Sequence, residues 1–223
     1  RFLSGKIYGG YVMSILNDIS EQIQRGKANE VKELVQKAID DGMEGKKVLN
    51  EGLMAGMGII GEKFKKNEIY VPEVLIAARA MNAGVELLKP LLQEDADETK
   101  GRVVLGTVKG DLHDIGKNLV KIMMEGKGLE VSDLGIDCPA EKFVDTAKEK
   151  KAQIIACSAL LTTTMTEMEN VVKAVEEAGI RENTKVMIGG APVTQNYCES
   201  IGADLYAPDA ASAADSAVEA CGK

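Results

Sequence analysis

The apolar pattern of this chain changes period once, near residue 95, and that change points to two differently built halves. Between Met13 and about Glu94 the spacing is helical throughout. Val31, Leu34, Val35, Ala38 and Ile39 recur at i, i+3, i+4, i+7 and i+8, which puts them on one helix face. Leu49, Leu53, Met57, Ile60 and Phe64 continue the period. Val74, Ala78, Met81, Val85 and Leu88 alternate steps of four and three, as a bundle seam does. Pro72 can open the last helix in its first turn. Helices near 14–25, 28–41, 46–66 and 72–93 predict a four-helix bundle over residues 13–94.

An acidic, polar, Gly-terminated stretch at 95–101 reads as a linker. After it, short β-rich runs at 102–107, 129–134, 153–158, 185–188 and 204–206 alternate with helical segments near 116–126, 140–150, 164–178, 193–200 and 210–220. That alternation predicts an α/β domain over 102–223 with a mostly parallel, doubly wound sheet. Such sheets bind ligands beyond the carboxyl ends of their strands, at a topological switch point. The loops after the strands are therefore where chemistry is expected.

Composition removes several classes. A net charge of −8 argues against nucleic acid or an anionic membrane as partner, because phosphate affinity rests on Lys and Arg. No run of 18 apolar residues is present, so no membrane-spanning helix is expected. The single histidine, His113, excludes a two-histidine metal site. Cys138, Cys157, Cys198 and Cys221 stand alone, with no CxxC pair. Cys157, inside an apolar run, reads as a small buried hydrophobe. No secretory signal is apparent, so a reduced cytoplasm is expected. Residues 1–12 are Gly- and Tyr-rich without helical period, and are expected to be a foreign leader ahead of a native start at Met13.

Three strand-end loops carry the candidate chemistry. The first, residues 108–118, contains D-x-H-x-x-G as Asp111, His113 and Gly116. A neutral imidazole can give one nitrogen to a metal while a carboxylate holds the other N–H, and Asp111 is placed to supply it. Gly110 and Gly116 would let a bulky ligand approach the backbone. A helix start, capped by Asp111 or Asp114 with His113 merely exposed, accounts for the loop equally well. After the third run, Ser158, Thr162, Thr163 and Thr164 offer hydroxyls to a polar ligand. Thr163 or Thr164 could instead cap the next helix. Gly189-Gly190 leaves room for a flat group or makes an ordinary tight turn. No phosphate loop of the G-x-x-x-x-G-K-[ST] type is present.

Taken in order, the motifs are more specific than any one alone. D-x-H-x-x-G, then S-x-L at Ser158–Leu160 after 41 intervening residues, then Gly189-Gly190 after 28 more, resembles the cobalamin-binding module. That module occurs in methionine synthase, B12-dependent mutases and the corrinoid proteins of methyltransferase systems. In the helical half, residues 52–57, Phe64 and residues 70–75 look like the cap bundle of the methyl-carrying members, which mutase modules lack. With no barrel for methyl-tetrahydrofolate or homocysteine in sequence, the chain resembles a stand-alone corrinoid protein: a helical cap followed by a Rossmann/flavodoxin-like cobalamin-binding domain.

The resemblance implies that cobalamin, or a related corrinoid, binds with its own lower base displaced, with His113 as lower axial ligand of cobalt. Asp111 would be its hydrogen-bonding carboxylate. Thr164, where methionine synthase has serine, would extend the relay. Gly110, Leu112, Asp114 and Gly116 belong to the same binding loop. Ser158, Leu160 and Thr162 would meet the displaced base or its surroundings, Gly189 and Gly190 would line its slot, and Ala210 matches another tail position. Phe64, Val71 and Val74 match the apolar cap, although each also fits a bundle seam. The implied role is a methyl carrier, non-catalytic alone, between a donor-specific methyltransferase and an acceptor methyltransferase using tetrahydrofolate or a thiol. A reductive activator protein would be a third partner. A cobalamin-dependent sensor without an attached DNA-binding domain is the alternative.

Overall fold

The computed structural model describes residues 4–92 and 99–222. Contacts divide the chain into two units that meet between Glu98 and Thr99. Of the expected linker at 95–101, residues 95–98 lie outside the described residues.

The first unit is helical: α1 (Ser4–Gln24), α2 (Ala28–Asp40), α3 (Gly45–Lys47), a π-helical segment (Val48–Met54), α4 (Ala55–Lys65) and α5 (Val71–Leu92). The expected third helix is thus one continuous run over 45–65 whose middle is widened to π hydrogen bonding. Ile19, Ile23, Val31, Val35, Leu53, Met57, Ile60 and Leu88 are buried in this unit. Gly56 sets how closely α4 approaches α1, since a Cβ there would lie 2.9 Å from the Ser20 carbonyl oxygen. The first helix, expected from about residue 14, begins at Ser4. Residues 4–12 are helical, continuing α1 toward its N terminus. Gly5, Gly9 and Gly10 lower intrinsic propensity, but extending a nucleated helix adds a hydrogen bond per residue without a new nucleation cost.

The second unit runs β1 (Arg102–Thr107), α6 (Ile115–Gly126), β2 (Glu130–Asp133), α7 (Ala140–Lys150), β3 (Ile154–Ser158), α8 (Thr166–Glu177), β4 (Lys185–Gly189), α9 (Gln195–Ser200), β5 (Leu205–Ala207) and α10 (Ala210–Cys221). All pairings are parallel, in the order β2-β1-β3-β4-β5. Every observed strand overlaps an expected β run. The central strands read as near-continuous apolar runs because both faces are covered. Phe143, Val144, Ala147, Met168, Val171 and Val175 from α7 and α8 close on Val104, Ile155, Val186 and Ile188, while α6 and α10 pack together. Cys157 is buried in this core, and burial pushes its thiol far above the ordinary range. The strand order reverses between β1 and β3, so the switch point lies between the loops that follow them.

Candidate functional site

Asp111 is fully buried in the loop after β1. Its Oδ1 accepts the backbone N–H of His113 at 3.0 Å, an Asx turn that accounts for the D-x-H spacing. The same oxygen lies 2.8 Å from His113 Nδ1. Its Oδ2 accepts from Leu160 N–H at 2.8 Å, Leu161 N–H at 3.2 Å and the Thr164 hydroxyl at 2.8 Å. One carboxylate therefore ties the β1 loop to the β3 loop across the switch point. Burial raises its pKa, but hydrogen bonds from the Leu160 and His113 N–H groups, the His113 ring and Thr164 outweigh that and hold it well below the usual carboxylate range.

An ionised carboxylate has no proton to give, so His113 Nδ1 must donate, which in a neutral imidazole leaves the lone pair on Nε2. The His113 side chain is 51% exposed. The result is an imidazole locked at one nitrogen and presenting the other outward. Thr164 has one hydroxyl proton and two acceptors in reach, Asp111 Oδ2 and the Leu161 carbonyl at 2.9 Å. The charged oxygen is the stronger acceptor.

The helix-start alternative is not how these carboxylates are used. Asp114 occupies the N-cap of α6 without a side-chain cap bond, and its carboxylate accepts the Asn118 amide at 3.1 Å. Nor does Thr164 cap α8, whose N-cap position is Met165. Gly110 adopts φ 78° in the turn closed by Asp111 N–H to the Val108 carbonyl. That conformation favours glycine. Gly116 is exposed, with no heavy atom within 4 Å of where a Cβ would stand. At Gly190 (φ 137°) the missing side chain makes room for Ala159, whose carbonyl oxygen would lie 1.9 Å from a Cβ. Its need for glycine is met within the protein.

The strand ends form one row: Thr107 pairs with Ser158, Ser158 with Gly189, and Gly189 with Ala207. Ala210 is buried in the first turn of α10, beside Asp209, which caps that helix through Ser212 N–H. Thr162 is exposed. In the helical unit Phe64 and Val71 are half-buried and Val74 is fully buried in the bundle core. Sequence reasoning missed Thr107. Its hydroxyl, fully buried at the end of β1, donates to the His113 carbonyl at 2.8 Å. The lone hydroxyl closing an apolar strand was the available signal. It also missed Lys117, four residues beyond His113, which is buried against Asp133 at 2.6 Å and Asn118 at 2.8 Å.

Among the described residues no group of three or more His, Cys, Asp or Glu side chains could hold a bare ion. A metal taken by His113 must bring its other ligands with it. Leu112, Ile136, Leu160 and Leu161 on the loops at this sheet edge, and Ile115 at the start of α6, are all exposed large hydrophobics, a surface that suits a broad, largely apolar ligand. One presented nitrogen in such a setting fits a corrin, which carries four equatorial nitrogens of its own.

A model described as B12 binding domain matches residues 101–216, and a second of the same description matches residues 15–89. The chain belongs to the B12-binding family. It is 46% identical over 180 residues to trimethylamine corrinoid protein 1 of Methanosarcina acetivorans, covering 80% of this chain and 83% of that one. Against dimethylamine corrinoid protein 1 of the same organism it is 43% identical over 206 residues, 92% and 96% of the two chains. Among solved structures, the methanol:cobalamin methyltransferase complex of Methanosarcina barkeri aligns at TM-score 0.82 and 32% identity, covering 92% of this chain and 80% of that one. A cobalamin-binding protein of Desulfitobacterium hafniense aligns at TM-score 0.76 and 32% identity, covering 92% and 98%. As a B12-binding protein related to methyltransferase corrinoid carriers, the chain takes cobalamin as its cofactor, and corrinoid carrier proteins of this family are non-catalytic subunits that partner with methyltransferases. No helix among the described residues is long and apolar enough to cross a membrane.

Proposed function

We propose that the chain holds cobalamin with the cofactor's own lower base displaced and His113 Nε2 as the lower axial ligand of cobalt. It would carry a methyl group from a donor-specific methyltransferase to a second one whose acceptor is tetrahydrofolate or a thiol. The observation that supports this is the spent Nδ1: five donors saturate Asp111, two of them from His113, so Nε2 is the one ring nitrogen free to bind metal.

When bound, cobalamin supplies a cobalt that takes up and releases a methyl group. The protein's part is positional and electrostatic. Asp111 fixes the tautomer and makes the imidazole a more electron-rich ligand. Thr164 and the Leu160 and Leu161 N–H groups keep that carboxylate ionised. Thr107 holds the His113 backbone. Gly110, Leu112, Asp114, Gly116 and Leu160 present the binding loops, while Ser158, Thr162, Gly189 and Ala210 would meet the displaced tail. From the helical unit Phe64 and Val71 remain candidates for cofactor contact, Val74 being used in the core. The donor is set by the partner methyltransferase: relatives spanning most of this chain are named for trimethylamine and for dimethylamine. A reductive activator protein is the third expected partner.

Reconstitution with hydroxocobalamin tests the ligand. Electron paramagnetic resonance of the reduced holoprotein should show one axial nitrogen, lost in His113→Ala with the apo fold intact. A variant that keeps the signal sinks the assignment. For the carrier role, the bound cofactor should accept methyl only when a partner methyltransferase and its donor are both present. Methyl uptake from free donor without a partner would contradict it.

A further inference from the structure

The loop between β2 and α7 lies against the loop that carries His113. Thr107 N–H donates to the Gly135 carbonyl at 3.0 Å, Cys138 N–H to the Thr107 carbonyl at 2.9 Å, and Val108 bridges to Cys138 in parallel register. At its tip Asp137 forms a reciprocal pair. Its Oδ1 accepts Gly110 N–H at 2.7 Å, and its own N–H donates to the Asp111 carbonyl at 3.1 Å.

Asp137 reaches that position with φ 52°. Asn67, Asp137 and Lys151 are the non-glycine residues in the left-handed region among the described residues. Asn67 follows the end of α4 and Lys151 ends α7, so both are helix terminations. Asp137 terminates no helix. An outlier of this kind persists where its surroundings over-determine it, and aspartate tolerates the left-handed region because its short side chain bonds locally. The base of the loop is anchored too: Asp133 Oδ1 accepts both Gly135 N–H at 3.0 Å and the buried Lys117 Nζ at 2.6 Å, and Lys117 lies on the helix that follows His113. The 133–138 loop thus grips the His113 loop before and after the histidine.

We infer that Asp137 is a positioning residue for the axial histidine, acting through the Gly110–Asp111 backbone. The carboxylate that orients His113 accepts from five donors, while the backbone that carries it is held by Asp137 at the Gly110 N–H and the Asp111 carbonyl. Removing the Asp137 clamp frees the turn at 108–111 and lets the Asp111–His113 pair open. This rests on the reading of His113 as cobalt ligand, and its test is chosen to be independent of cobalt.

The chain has one histidine, so labelling with 15N-histidine gives a single imidazole to observe in the metal-free full chain. In wild type the Nδ1 proton should be a downfield, slowly exchanging resonance. In Asp137→Ala its exchange with water should accelerate at least about tenfold, while the amide spectrum of the sheet and α8 stays native. Asp137→Asn keeps an oxygen for Gly110 N–H and tolerates φ 52°, so it should retain slow exchange. In the holoprotein, Asp137→Ala should bind cobalamin with a severalfold smaller axial-nitrogen fraction than wild type. An Nδ1 proton as protected in Asp137→Ala as in wild type overturns the inference. Equal loss in the Asn and Ala variants also overturns it. A wild-type holoprotein without axial nitrogen instead overturns the ligand reading, and the apo measurement tells the two failures apart.

Discussion

One oxygen of Asp111 holds both the backbone and the ring of His113, at 3.0 and 2.8 Å. The other oxygen is taken entirely by the β3 loop. The orientation of the His113 ring is therefore set by the contact between two loops at the switch point. Motifs about fifty residues apart in sequence act as a single unit because of this one carboxylate.

Asp111→Asn should break that unit. An amide places two N–H donors where one oxygen now accepts, against Leu160, Leu161 and Thr164. The expected destabilisation is about 2–4 kcal/mol at neutral pH, read from urea unfolding of the apo protein. The folded-state pKa of Asp111 is depressed, so its contribution is complete above the ordinary aspartate value of about 3.9. It is lost as pH falls through the lower folded value. The gap between wild type and variant should thus hold from pH 7 to 5 and shrink below pH 4. A gap that stays constant down to pH 2 would mean that the carboxylate's charge is not what matters.

Thr164→Val removes one donor from Oδ2 while keeping shape. A loss of about 1–2 kcal/mol is expected, with the acid-unfolding midpoint moved upward because the carboxylate is less well held. Thr164→Ser should restore most of both, since the donor is the hydroxyl. If Val and Ser behave alike, the methyl packing rather than the hydrogen bond accounts for the position.

The change of period at residue 95 and the alternation after it made the fold class legible, because parallel strands and bundle seams write their burial directly into apolar spacing. The pairing of carboxylate and imidazole in D-x-H was legible for a local reason: an Asx turn spans two residues. Three things were not. Helix propagation carries α1 through glycines that propensity alone would exclude. Gly190 serves Ala159's carbonyl, a backbone contact between two strand ends that no pattern along one strand reveals. Thr107 and Lys117 act across the fold on His113's carbonyl and on Asp133, and spacing carries no sign of such partners.

Thr107→Val should separate fold from ligand geometry. It leaves a β-branched residue in a buried strand position and takes away the donor to the His113 carbonyl. The expected cost is about 1–2 kcal/mol of apo stability. The holoprotein should still bind cobalamin, with a reduced axial-nitrogen signal in its paramagnetic resonance. Full retention of that signal would show that Asp111 alone suffices to hold the histidine.

The two glycines of the motifs should respond in opposite ways to alanine. At Gly190 a Cβ would collide with Ala159's carbonyl oxygen at 1.9 Å, in a backbone conformation that L residues rarely adopt. Gly190→Ala should therefore cost the apo protein about 3 kcal/mol or more, a large drop in Tm whether or not cobalamin is present. At Gly116 nothing stands within 4 Å of the added carbon, and the residue is helical. Gly116→Ala should leave apo stability unchanged or raise it by up to about 1 kcal/mol, because alanine loses less backbone entropy in a helix. On the proposed cofactor site its effect should fall on the ligand: the new methyl stands in open space on α6, three residues from His113. Titration with hydroxocobalamin should give a Kd at least about tenfold weaker, equivalent to about 1.4 kcal/mol, from a protein that melts no lower than wild type. Unaltered cobalamin affinity in Gly116→Ala would show that this glycine serves the helix start and not the ligand.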